Sequence, residues 1–359
     1  MEIDRLEDRA ATTRRAMSQF KPIANGRMTR RDLLGGALLA TASTATGASL
    51  FSQQLQTHLP PGATPKPKGP PIFLDYDQEE LNVAYDQFSW ASNLPQLTER
   101  NVQKSKAAVA RLGPPRRLAY GSTDVEKLDL YVTKKPRAPI NVFIHGGAWR
   151  TDSAASYAYQ SEMFVDAGAH FIALDFNNVL ETNGNLMTLA EQVRRGVAWV
   201  YRNAARFGGD PDRLYVTGHS SGGHLAAVVL TTDWQTDFGL PRDTVKGGLC
   251  ASGMYDLYPV SLSARSSYVR FTPDVIEALS PRRHLDRLTA PVIIAHGTLE
   301  TPEFQRQNRE FAAEVTAAGK TAEFIVLNGY NHFEVSESLG NPYGVLGRAV
   351  LRQMQLSPT

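Results

Sequence analysis

The sequence predicts an α/β fold, a mostly parallel central sheet with helices on both faces and a short lid. Three observations predict it. Short apolar runs rich in β-branched residues, such as Asn141–Ile144, Leu214–Thr217 and Val292–Ala295, alternate with helical patterns at the spacing of strand–helix–strand units. The stretch Leu214 to Leu225 reads as a buried strand, a tight turn and the start of a helix. The residues that carry chemistry fall just after strand ends, and right-handed crossovers bring those ends to one rim of a parallel sheet.

Taken in order, the chain divides into a leader over 1–50, a proline-rich linker over 51–71 and a catalytic domain over 72–359. Thr29-Arg30-Arg31-Asp32-Leu33-Leu34 precedes a weakly hydrophobic run rich in Gly, Ala, Ser and Thr. This pattern is similar to a twin-arginine export signal and predicts a periplasmic protein; an uncleaved leader would leave it cytoplasmic or membrane-anchored. Pro60 to Pro71 predicts a stiff polyproline-type spacer. Leu81 to Arg111 reads as helical pieces broken at Pro95, with Tyr85, Phe88 and Trp90 packing into the core.

Strands follow over Leu118–Gly121, Leu128–Val132 and Pro139–Ile144. The last runs into His145-Gly-Gly-Ala-Trp149, whose glycines let backbone N–H groups turn toward a cavity. A helix (Tyr157–Ala167), a strand (His170–Phe176) and a long amphipathic helix (Leu186–Phe207) lead to Gly208-Gly-Asp-Pro211. The next strand enters Gly218-His-Ser220-Ser-Gly222, the G-x-S-x-G pattern of a strained turn that exposes its serine, and a helix runs from Gly223 to Thr232. Val245–Gly253 is a further buried strand. Tyr255–Leu288 is a connection with one helix, Pro273–Leu279, holding Arg265, Arg270, Arg282, Arg283 and Arg287. These arginines read as a solvated surface, with binding of a substrate carboxylate as the alternative. Strands Pro291–His296 and Ala322–Leu327 flank a helix over Pro302–Ala318, and Asn341–Gln355 closes the chain.

A serine hydroxyl needs a neutral imidazole to take its proton and a carboxylate to hold that imidazole in the right tautomer. Ser220, Glu300 and His332 meet those needs in the order serine, acid, histidine. Glu303 and Asp256 are the alternative acids. The N–H groups of Gly147, Ala148 and Ser221 are the expected oxyanion hole. His145, His219, His224, His284 and His296 read as structural.

The 38 Lys and Arg against 36 Asp and Glu leave a net charge of +2, which gives no reason to expect nucleic acid or an anionic membrane surface as partner. No stable membrane partner is expected beyond the export signal. The lone cysteine, Cys250, lies in an apolar run; it has no partner for an internal disulfide, and thiols supply no metal site. No cofactor or metal is expected, and the expected partner is a small ester or amide.

His145-Gly-Gly-Ala-Trp149, Gly218-His-Ser-Ser-Gly-Gly-His224, Ser280-Pro-Arg-Arg-His284, Glu300-Thr-Pro-Glu-Phe-Gln-Arg-Gln307 and Asn331-His-Phe333 together resemble the kynurenine formamidase (arylformamidase) branch of the α/β hydrolases, near the hormone-sensitive-lipase-like esterases. The resemblance runs from about Asn82 to the C-terminus. It implies a serine hydrolase of α/β-hydrolase fold. At the position of Glu300 that branch usually has Asp before a similar x-Pro-Glu-Phe, which implies Glu300 over Glu303 as the acid. Ser221 stands where Ala is usual. An export leader is odd for an enzyme of tryptophan catabolism, so a small or aromatic carboxylic ester is the first expectation. An N-formyl or N-acyl aryl amine is the second.

Overall fold

The computed structural model describes residues 59–64 and 67–358; the expected leader and the first part of the linker lie outside the described residues. The described part of the linker has no helix or strand. Its end is tied down, since Gly69 N–H donates to Asp77 and Lys68 pairs with Glu80.

Eight strands form one sheet: β1 (Arg116–Ala119), β2 (Lys127–Tyr131), β3 (Ala138–Ile144), β4 (His170–Leu174), β5 (Gly209–His219), β6 (Gly247–Ala251), β7 (Val292–Gly297) and β8 (Ala322–Leu327). They lie in the order β1-β2-β4-β3-β5-β6-β7-β8. β2 runs antiparallel to both β1 and β4, and every other neighbouring pair is parallel.

The central strands read as continuous apolar runs because both faces are covered. All of β3 is buried. Ile140, Val142 and Ile144 point into one apolar layer, shared with Val216, Leu189 and Val193 of the helix Leu186–Asn203, and Leu225 and Val229 of the helix Ser221–Leu230. Phe143 points the other way, to Phe164, Phe171, Leu249, Ile293 and the helix Val345–Gln353. Asn141 is the polar exception, and its amide donates to Thr217 Oγ1 on the neighbouring strand at 3.0 Å.

The structure departs from the sequence expectations in several places, among them a helix over His332–Leu339 where a loop is expected and a Trp90 that is only half-buried. Pro95 sits in the first turn of the helix Leu94–Leu112 and starts it rather than breaking it, because the missing N–H is an orphan there anyway. The helix expected over Tyr157–Ala167 is a 3-10 segment, Ala154–Gln160, followed by the helix Ser161–Ala167. Asp175 accepts from Ala154 N–H and Ser105 accepts from Tyr159 N–H, which hold the tighter turn. The connection between β6 and β7 holds two helices, Leu257–Ser261 and Pro273–Leu279, and two 3-10 segments, not one helix. Phe88 is not core: it is 44% exposed and lies against Phe333 at 5.6 Å between ring centroids. Tyr85, by contrast, is buried with its hydroxyl on Glu303.

Candidate active site

Strand β5 ends at His219, and the helix Ser221–Leu230 begins two residues on. Between them Ser220 has φ 60° and ψ −129°, a conformation costly for any residue with a Cβ. Glycine is forced at both flanks. A Cβ on Gly218 would fall on the carbonyl of Gly222, and one on Gly222 would fall on the carbonyls of Ile144 and His145. Ser220 N–H donates to Ala251 O at 2.9 Å, which fixes the turn to the end of β6.

Past β8, Asn331 caps the helix His332–Leu339, and its first residue turns inward. His332 Nε2 lies 2.8 Å from Ser220 Oγ, and Nδ1 lies 2.9 Å from Glu300 Oε2. Among the three carboxylates considered from sequence, Glu300 alone meets His332. Glu303 is bonded to Tyr85 and Arg306, and Asp256 to Arg282. Glu300 is fully buried. Its Oε1 accepts from Gly297 N–H at 2.7 Å and from Ser252 Oγ at 2.6 Å. Burial pushes its carboxyl up, and those two donors oppose the shift. Burial, then the positive charge of Arg265, pushes His332 down to about 3. The imidazole therefore rests neutral, with Nδ1–H toward the carboxylate and Nε2 accepting from the serine.

The backbone after β3 is strained in sequence: Gly147, Ala148 and Trp149 have φ 92°, 55° and 61°. Two contacts hold it. Trp149 N–H donates to Ser221 Oγ at 3.1 Å, and the buried indole donates to His224 Nδ1 at 3.3 Å. His224 in turn donates from Nε2 to Leu279 O at 2.7 Å. Trp149 thus seals the core beneath the loop. The N–H groups of Gly147, Ala148 and Ser221 donate to no group among the described residues.

His219 was read as structural, and it is a brace. Its Nε2–H donates to His332 O at 2.8 Å, and burial pushes it down to about 3, so it stays neutral. His145 bonds its own neighbour, Gly146 O, at 3.0 Å and stacks on Phe176. His296 bonds Gly297 O, and His284, nearer the surface, bonds Glu277 O. Sequence reasoning missed Ser252, which sits in the left-handed region with φ 53° just beyond β6. It also missed Gln87 and Thr301. These two bond each other, and Thr301 Oγ1 donates to Ala84 O, so a segment far upstream clasps the residue after Glu300. Ser252 follows a buried strand end, which is the available signal; nothing local marks Gln87. Among the arginines of the β6–β7 connection, Arg282 pairs with Asp256 and Glu314, and Arg283 with Glu277. Among the described residues no group of three or more His, Cys, Asp or Glu could hold a metal ion, and no helix is long and apolar enough to cross a membrane.

Comparison with known proteins finds hydrolases among the proteins this chain is similar to. The model of the prolyl oligopeptidase family matches residues 191–343, and a model described as BD-FAE matches residues 128–246. Kynurenine formamidase of Danio rerio is 27% identical over 293 residues, covering 77% of this chain and 96% of that protein. Esterase LipC of Mycobacterium tuberculosis is 29% identical over 241 residues, covering 60% of this chain and 59% of that protein. Among solved structures, a thermophilic esterase from Thermogutta terrifontis with propionate bound superposes with a TM-score of 0.57 at 23% identity, covering 69% of this chain and 97% of that one.

Proposed function

The chain is an α/β-hydrolase serine esterase, a carboxylic ester hydrolase resembling the kynurenine formamidase and hormone-sensitive-lipase-like branch, and from that premise we propose that it works through an acyl-enzyme on Ser220 with His332 as base and Glu300 as its orienting acid. Ser220 Oγ attacks the substrate carbonyl as its proton passes to His332 Nε2. Glu300 holds Nδ1–H and stabilises the imidazolium that forms. The carbonyl oxygen, now negative, accepts from the N–H groups of Gly147, Ala148 and Ser221, each worth roughly 3 kcal/mol in the transition state. The imidazolium gives its proton to the leaving oxygen as the C–O bond breaks. Water then repeats the sequence and frees the acid.

One observation carries this reading: the unbroken line from Glu300 through His332 to Ser220, at 2.9 and 2.8 Å, beside three N–H groups that nothing in the described protein engages. The test is labelling with a fluorophosphonate probe. Ser220→Ala should abolish both label and ester turnover while the circular dichroism spectrum stays unchanged; a labelled variant refutes the nucleophile.

Small or aromatic esters are the proposed substrates. Half-buried Phe333, 5.3 Å edge-on to the His332 ring, and the exposed Phe88 that lies against it support aromatic groups. The likeness to kynurenine formamidases over nearly their whole length supports a second reading, hydrolysis of an N-formyl or N-acyl aryl amine. Comparing kcat/KM for 4-nitrophenyl acetate and an N-formyl aryl amine decides between them. The Arg30-Arg31 leader supports export to the periplasm. Replacing both arginines by lysine should retain the protein in the cytoplasmic fraction, and unchanged fractionation refutes export by that route.

A further inference from the structure

We propose that Arg265 is an anion subsite of this active site, so that the preferred ester or amide carries a carboxylate of its own beyond the scissile bond. The inference rests on the serine-hydrolase reading above and deepens it.

Among the described residues Arg265, Arg270 and Arg287 of the β6–β7 connection all lack a carboxylate partner, and Arg265 is the one of the three whose guanidinium is held by hydrogen bonds. Arg282 and Arg283 are spent in ion pairs. Arg265 has no carboxylate partner among the described residues, and neither has Arg150. Its guanidinium donates to two neutral oxygens, Tyr268 Oη at 3.0 Å from Nη1 and Tyr85 O at 2.9 Å from Nη2. Two of its five N–H groups are therefore engaged, and its buried Nε has no acceptor at all.

These contacts hold the charge between two groups of buried residues that pack behind the site. On one side the guanidinium carbon lies 5.6 Å from the ring of Trp149, whose backbone directly follows the unengaged N–H groups of Gly147 and Ala148. On the other, Tyr85 packs on Phe304, and Phe304 stands edge-on to the His332 ring at 5.0 Å. The charge reaches the imidazole, which it makes harder to protonate. A second cation reinforces the first: Arg150 lies 4.6 Å over the ring of Tyr268, the residue that Arg265 grips. A fixed, uncompensated guanidinium within electrostatic reach of the base is a natural partner for a carboxylate, which can take its free N–H groups in a fork. Two neutral acceptors hold the side chain in place without neutralising it.

The experiment uses the full chain and two esters of equal chain length, 4-nitrophenyl hydrogen glutarate (anionic) and 4-nitrophenyl pentanoate (neutral). The readout is the ratio of their kcat/KM values. The ratio should favour the anionic ester and fall roughly 10- to 100-fold in Arg265→Gln, the range for a lost charge-assisted hydrogen bond. Arg265→Lys should keep most of it, and Arg283→Gln should not change it. A ratio equal in the unaltered protein and Arg265→Gln overturns the subsite. Should Arg265→Gln fail to fold, the unaltered protein decides. Glutarate should protect Ser220 from fluorophosphonate, pentanamide should not, and equal protection overturns the proposal. Labelling at Ser220 with an unmoved ratio removes only the anion subsite, whereas absence of labelling removes the serine reading beneath it.

Discussion

Two glutamates three residues apart have opposite duties, and their neighbours assign them. Glu300 touches the imidazole; Glu303 anchors Tyr85 and Arg306 in the core. Glu300→Gln should lower kcat by about 10³-fold with little loss of stability, because an amide holds the wrong tautomer of His332. Glu303→Gln should do the reverse, costing roughly 1–3 kcal/mol by leaving the half-buried Arg306 guanidinium with Glu310 as its one remaining carboxylate, with the folded fraction still active. Thermal melts beside steady-state rates separate the two. The depressed affinity of His332 for protons has its own signature. The acid limb of kcat/KM should lie well below pH 6.5, the ordinary imidazole value, since burial keeps the base free as pH falls. A limb centred at 6.5 or above, on substrates without an ionisable group, contradicts the geometry. The sequence made Ser220 and His332 legible because a glycine-flanked serine and a histidine after the last strand are local patterns. Glu300 stands first among the acids from its place just past a strand end and from the x-Pro-Glu-Phe resemblance; the structure adds the contact with His332 that Glu303 and Asp256 lack.

At the scale of elements, the loop after β3 and the helix after β5 form one device. Ser221 keeps its own N–H unengaged and accepts Trp149 N–H at its hydroxyl, so in the proposed mechanism one residue both donates and pins its fellow donors. Ser221→Ala should lower kcat several-fold with KM nearly unchanged, because a loosened donor loop is felt where negative charge develops. A variant that raises KM alone would place the hydroxyl in substrate binding instead. The strands were legible within a few residues, since continuous apolar runs mark a sheet covered on both faces. The β6–β7 connection was legible only in part: the sequence marks the helix Pro273–Leu279 at its observed bounds and misses the helix Leu257–Ser261. The missed helix is only five residues long, too short for periodicity to emerge, and it is held by the Asp256 cap. The clasp of Gln87 on Thr301 was invisible for another reason: it joins residues more than 200 positions apart through side-chain amide and hydroxyl groups that carry no pattern.

For the whole molecule, the buried histidines couple stability to pH. Burial holds His219 and His332 down to about 3 and His224 to about 4 in the folded chain. The unfolded chain takes up a proton on each near pH 6.5, so below that value it binds more protons than the native state. Stability is therefore fully present above about pH 6.5 and is lost as pH falls toward the folded values. The loss is about 1.4 kcal/mol per pH unit for each histidine. Urea titrations at pH 7.5 and pH 5 should show the midpoint falling, with proton uptake on unfolding approaching three; a midpoint unchanged over that range contradicts the burial of these rings.

The left-handed backbone at Ala148, Trp149, Ser220 and Ser252 has a consequence for how the enzyme fails. Each such residue stores roughly 1–3 kcal/mol, recovered only while the strand ends stay in register and the indole stays seated. Relaxing any of them leaves the sheet standing and ruins the catalyst. On gentle warming, turnover should disappear several degrees before the far-ultraviolet signal moves, and return on cooling: the molecule dozes before it melts.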